Sequence, residues 1–128
     1  MDNEQAPKPT STELDILRVL WELGPSTVRE VHDVLTRRKQ TGYTTVLKLL
    51  QIMTAKGMVK RNEDSRAHIY EACQPAESTK RQLVGDLLQR AFAGSASQMM
   101  MHALSGESSH AEIDEIRRML DEYERKAK

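Results

Sequence analysis

Residues 42–72 read GYTTVLKLLQIMTAKGMVKRNEDSRAHIYEA, and the hydrophobic period changes partway along them. At about 100° per residue, Val46, Leu49, Leu50 and Met53 share one side of a helix that follows Gly42 and stops at Gly57. Beyond it the alternation shortens to two. Met58-Val59-Lys60-Arg61-Asn62 and Ala67-His68-Ile69-Tyr70-Glu71-Ala72 read as strands, joined by the polar turn Glu63-Asp64-Ser65-Arg66.

Working outward toward the N-terminus, two further helices precede this unit. Thr10-Ser11-Thr12-Glu13 is a capping box, followed by the stripe Leu14, Ile16, Leu17, Leu20, Trp21 and Leu23 and a stop at Gly24-Pro25. Thr27 with Glu30 forms a second box. The helix it opens would bury Val28, Val31, Val34 and Leu35 and close on Arg37-Arg38-Lys39, cations suited to a helix C-terminus. Three helices and a hairpin within about 65 residues is the order of a winged helix-turn-helix, here spanning 10–74. Residues 1–9 hold two prolines and no apolar period, and read as a flexible tail.

Helical spacing returns after Gln74-Pro75. Leu83, Val84, Leu87, Leu88 and Phe92 mark one helix, ended near Gly94. A shorter one follows Ser95 and carries Met99, Met100, Met101 and Leu104. A last one, boxed by Ser109 and Glu112, carries Ile113, Ile116, Met119, Leu120 and Tyr123. A helical segment of about 50 residues is too small to sustain a core alone, so 77–126 must pack on the first half or on a second copy. Closed two-fold symmetry is the commonest solution. The expectation is therefore a mainly α chain with a small β-hairpin: an N-terminal winged helix-turn-helix and a C-terminal helical dimerisation domain. In this reading the dimer is built from Leu83, Leu87, Leu88, Phe92, Met99, Met100, Leu104, Ile113, Ile116, Met119, Leu120 and Tyr123.

Composition narrows the class. The 128 residues carry 19 Lys+Arg against 19 Asp+Glu and 38% apolar types, which suits a globular protein rather than a disordered one. No apolar run approaches the roughly 20 residues that span a bilayer, and the polar start does not read as a signal peptide, so the expected location is cytoplasmic. Cys73 is the only cysteine, which rules out an internal disulfide; at a strand end it reads as a small buried apolar residue.

The zero net charge hides an asymmetry. From Arg29 to His68 there are nine cations and four anions, a net +5, and a basic half is the footprint expected for phosphate contact. On the third helix Thr44, Lys48, Gln51 and Ala55 fall opposite the apolar side, with Leu47 on the flank. Thr, Gln and Lys can address a thymine methyl, an adenine edge, and a guanine edge or phosphate. Tyr43, Thr44 and Thr45 lie in the first turn, the part of a recognition helix that enters deepest into the major groove. Two threonines in series are poor helix formers, so their presence needs another reason, such as backbone capping or groove contact. Arg66 at the hairpin tip, with Lys60 and Arg61 on the strand, would reach phosphate or the adjoining minor groove.

Nothing in the sequence reads as catalytic. His32, His68, His102 and His110 have no metal-ligand spacing, and no phosphate loop or nucleophile motif is present, so neither an enzyme nor a cofactor or metal is expected. Three readings stay open on the residues alone. They are a DNA-binding repressor, a winged-helix protein-interaction module, and a dimeric regulator that senses a ligand.

GYTTVLKLLQIMTAKGMVKR and SRAHIYEA resemble the recognition helix and wing of the penicillinase repressor (BlaI/MecI) family. PTSTELDILRVLWELGPSTVREV is similar to that family's first two helices, and FAGSASQMMMHAL with the acidic last helix resembles its dimerisation domain. The resemblance implies a homodimeric transcriptional repressor on a dyad-symmetric, palindromic operator in double-stranded DNA. It also implies relief of repression when a membrane sensor metalloprotease triggers cleavage within Met101–Leu104, between His102 and Ala103. The chain departs from the family with His102-Ala103 where Asn-Phe is typical and Gln51-Ile52 where Arg-Leu is usual. It also lacks the paired C-terminal cysteines of a copper-responsive branch.

Overall fold

The computed structural model describes residues 7–64, 66–106 and 108–127. Six helices and one hairpin follow in the order α1 (Ser11–Leu23), α2 (Val28–Arg38), α3 (Tyr43–Lys56), β1 (Val59–Asn62), β2 (Ile69–Ala72), α4 (Ala76–Phe92), α5 (Ala96–Leu104) and α6 (His110–Ala127). The chain is mainly helical with a small antiparallel wing, as the change of period predicts. It divides into two compact units, 1–84 and 85–128, with the division inside α4.

In the first unit both capping boxes form. Thr10 accepts from the Glu13 backbone N–H while the Glu13 carboxylate accepts from Thr10, and Thr27 and Glu30 repeat the exchange. Each box satisfies first-turn donors that would otherwise face water unpaired. Ile16, Leu17, Val19 and Leu20 of α1, Val28, Val31 and Leu35 of α2, and Val46, Leu50 and Met53 of α3 then meet in one aliphatic core. Val34 and Leu49 pack against its margin, half-buried. Gly57 ends α3 in the left-handed region at φ 82°, where a side chain would be strained, and its N–H returns to Met53 and Thr54.

The hairpin pairs Val59 with Ala72 through Asn62 with Ile69. Met58 and Val59 face the core, and Tyr70 beneath them is 1% exposed. Ser26, between α1 and α2, exchanges both backbone hydrogen bonds with Tyr70 at 2.9 and 2.7 Å, so a third short segment joins the two-stranded wing. Trp21 donates its indole N–H to the Gln74 carbonyl at 3.0 Å, fixing the chain's exit from the wing against α1.

Two expectations need correction. Cys73 is exposed rather than buried, because the ladder ends at Ala72 and its backbone N–H bonds Met58 instead. The strands are shorter than the alternating runs: Met58 ends the turn after α3, and Ala67 and His68 belong to the turn. Of the expected tail, Pro9 is buried and with Leu17, Met58 and Thr79 lines a small cleft, while residues 1–6 lie outside the described residues, as does Ser65 of the turn.

The second unit is different in kind. α5 is capped by Ser95, whose hydroxyl accepts from the Gln98 N–H, and α6 by Ser109, which accepts from Glu112. Phe92 meets the His102 ring at 5.5 Å. Yet no described residue between 85 and 127 is buried.

Candidate nucleic-acid interface

Because Val46, Leu50 and Met53 anchor α3 in the core, its opposite face is committed to solvent by helical geometry alone. Thr44, Thr45, Lys48 and Gln51 are all exposed on it, and Tyr43 is 43% exposed at the first turn. Leu47 is only half-buried and packs on the core margin, so it offers the edge of its side chain rather than a full apolar surface. Ile52, which the sequence reading did not place on this face, is 39% exposed there.

The start of α3 also differs from the starts of α1, α2 and α5. Gly42 is its N-cap and supplies no side-chain hydrogen bond, and no acidic residue stands in the first turn. Thr44 and Thr45 therefore do not cap this helix, so capping is not the reason they stand in series. The first-turn N–H groups keep their partial positive charge, which suits an anion such as a phosphate.

The cations are not equivalent. Lys48 has no carboxylate within ion-pair distance among the described residues. Lys60 lies 3.7 Å from Glu71, and the Arg61 Nε donates to Glu63 at 2.8 Å. Lys56 at the far end of α3 donates to Glu13 at 2.8 Å, and Glu13 is 2% exposed. Arg38 reaches back to Glu22 at 3.3 Å. Much of the +5 balance is thus neutralised at short range, which no running charge count can reveal. Arg66 is exposed beside the tip of the wing.

Two further groups of sequence-predicted residues lie elsewhere. His102 and Ala103 are exposed in the last turn of α5, where backbone bonds from Ser105 to Met101 and His102 hold the helix end. Of the expected dimer residues, Leu83, Leu88, Phe92, Met99, Ile113 and Ile116 are half-buried. Leu87, Met100, Leu104, Met119, Leu120 and Tyr123 are exposed, Leu120 by 60% and Tyr123 by 72%. Among the described residues no three His, Cys, Asp or Glu side chains gather as a metal site, and no helix is long and apolar enough to cross a membrane.

Known proteins resemble this chain in sequence and in fold. A sequence model described as penicillinase repressor matches residues 9–122. The transcriptional regulator BlaI of Mycobacterium tuberculosis is 35% identical over 107 residues, which cover 82% of this chain and 77% of that protein. The solved DNA-binding domain of the repressor BlaI superposes with a TM-score of 0.52 at 18% identity, over 59% of this chain and 93% of that one. Monomeric BlaI of Bacillus licheniformis, solved in complex with the blaP half-operator, gives 0.51 at 19% identity over 57% and 89%. At such identities the structural likeness establishes the winged-helix fold.

Proposed function

Since the chain belongs to the penicillinase repressor family, whose members are transcriptional regulators and not enzymes, we propose that it is a cytoplasmic homodimer that represses transcription from a dyad-symmetric DNA operator. Residues 10–74 form the DNA-binding domain and 77–126 the dimerisation domain. The observation that carries the reading is the open outer face of α3, where Thr44, Thr45, Lys48 and Gln51 are free of the core and adjoin an uncapped helix start. Tyr43, Leu47, Lys60, Arg61 and Arg66 flank this face and contact the sugar-phosphate backbone or groove edges.

The dimer is supported by the second unit, which buries none of its described residues and exposes apolar side chains along α4, α5 and α6. A second copy covers them. One winged helix makes few phosphate contacts and binds weakly, whereas two joined rigidly bind far more tightly through effective concentration. Loss of the joint therefore releases the DNA without altering any residue that reads it. A membrane sensor metalloprotease is the inducing partner, and cleavage between His102 and Ala103 is the route. That bond becomes accessible to a protease only when the last turn of α5 unwinds, since proteases take extended backbone.

The test is selection of duplexes from a random-sequence pool on the intact chain. The expected product is an inverted repeat with half-sites about 10 bp apart centre to centre, or a multiple, bound with a steep inverse dependence on salt. A pool that yields no bound duplex, together with a stable complex with another protein, would favour the docking-module reading instead.

A further inference from the structure

α2 carries a histidine whose contacts converge on the start of α3. His32 is half-buried, with Nε2 2.9 Å from the carbonyl oxygen of Thr41. A carbonyl only accepts, so Nε2 carries the proton and donates it. The Thr36 hydroxyl stands 3.1 Å from the same nitrogen and donates to the same carbonyl at 3.4 Å. Thr41 in turn closes the connection on itself, its hydroxyl donating to the Lys39 carbonyl at 2.9 Å. The His32 ring then meets Tyr43 in an edge arrangement, centroids 5.8 Å apart and planes at 67°. Arg29, one turn earlier on α2, places its guanidinium carbon 5.9 Å from the centre of the same tyrosine ring.

These contacts matter because the start of α3 has so little else to fix it. Gly42 offers no side chain and α3 has no side-chain cap. The path of the turn is therefore set from α2, and Tyr43 is steadied there before any DNA arrives. Ordering such a ring in advance removes part of the entropy that binding would otherwise cost. His32 stands outside the aliphatic core, so its removal leaves that packing intact.

The geometry points to His32 as the positioning residue of the DNA interface, orienting the first turn of α3 through Thr41 and holding the Tyr43 ring for contact with the duplex; this rests on the DNA-binding reading above. The experiment titrates the full-length chain against a fluorescent duplex recovered from the random pool on the unaltered protein. His32→Ala is expected to weaken binding about tenfold, equal to about 1.4 kcal/mol. The unfolding midpoint is expected to fall by less than about 4 °C. His32→Gln, whose amide N–H can still reach the Thr41 carbonyl, should return affinity to within about threefold of the unaltered chain. In a Tyr43→Ala background, His32→Ala should cost about threefold, less than in the unaltered chain, since the ring contact is already gone and only the Thr41 bond remains to be lost.

A loss below twofold from His32→Ala alone, a Gln variant as weak as the Ala variant, or a full tenfold cost in the Tyr43→Ala background would each overturn the assignment. So would a His32→Ala chain that melts below assay temperature, since His32 would then be a folding determinant. If the pool yields no bound duplex, the DNA reading itself fails, and that is seen before any variant is made.

Discussion

Lys48 and Arg61 carry the same charge in different company. Lys48 faces solvent with no carboxylate partner among the described residues, whereas Arg61 is held by Glu63. Meeting a phosphate costs Lys48 only water and counterions, while Arg61 must share or leave its carboxylate. Lys48→Ala should therefore weaken binding to all duplexes and reduce the slope of log affinity against log salt by about 1, measured by fluorescence titration between low and moderate salt. Glu63→Gln should act oppositely and strengthen binding about two- to threefold in the same assay, because it frees the Arg61 guanidinium from its carboxylate partner. Glu13 makes the converse point about stability. Burial alone would raise its carboxyl, but the Lys56 ammonium and the Thr10 N–H outweigh that and hold it below the ordinary carboxylate range. A carboxyl lowered by folding contributes stability that is complete above its unfolded value of about 4.3 and is lost as pH falls through the lower folded value. Glu13→Gln should thus cost about 1–3 kcal/mol at neutral pH, and the cost should shrink as pH falls below the lowered folded value, read from denaturant melts across an acid series. The capping role of Glu13 was legible from four adjacent letters. Its pairing with Lys56 was not, because the two lie 43 residues apart and only the packing of α1 on α3 joins them.

At the scale of elements, α3 and the wing were readable because each has its own hydrophobic period and each boundary carries a residue with a physical reason to be there. Gly57 is the example, its φ of 82° being open to glycine at little cost. What escaped was whatever depends on a third element. The Ser26–Tyr70 bridge joins a connecting segment to the hairpin, and Ser26 carries no alternation of its own. Cys73 was misplaced because burial at a strand end depends on what covers the strand, which composition does not encode. Ile52 went unplaced on the outer face for a similar reason, as its exposure reflects how far the core reaches around α3. The end of α4 supplies a test at this scale. Ala93 sits at φ 49°, and the Gly94 N–H reaches back to the Leu88 carbonyl at 2.9 Å. A left-handed residue with a Cβ is strained, so Ala93→Gly should raise stability by about 0.5–1 kcal/mol in thermal melts. A loss of stability there would mean that the α4 end is not held in this conformation.

At the scale of the molecule, the two units bear different relations to solvent. The first buries an aliphatic core of its own, and the second leaves Leu120 and Tyr123 mostly exposed on α6. That contrast was partly legible, since a helical segment so short cannot close its own core, though which apolar residues stay open could be read only from coordinates. A charge at the centre of the open stripe should separate the copies: Leu120→Glu should give a monomer that still folds in its first unit and binds the selected duplex far more weakly. The most direct measurement is the mass of the protein–duplex complex in solution by light scattering, using the intact chain and the selected inverted repeat. Two chains of 14.6 kDa per duplex are expected, falling to no stable complex at the same concentration for Leu120→Glu. A single chain per duplex, or equal affinity for both proteins, would contradict the account.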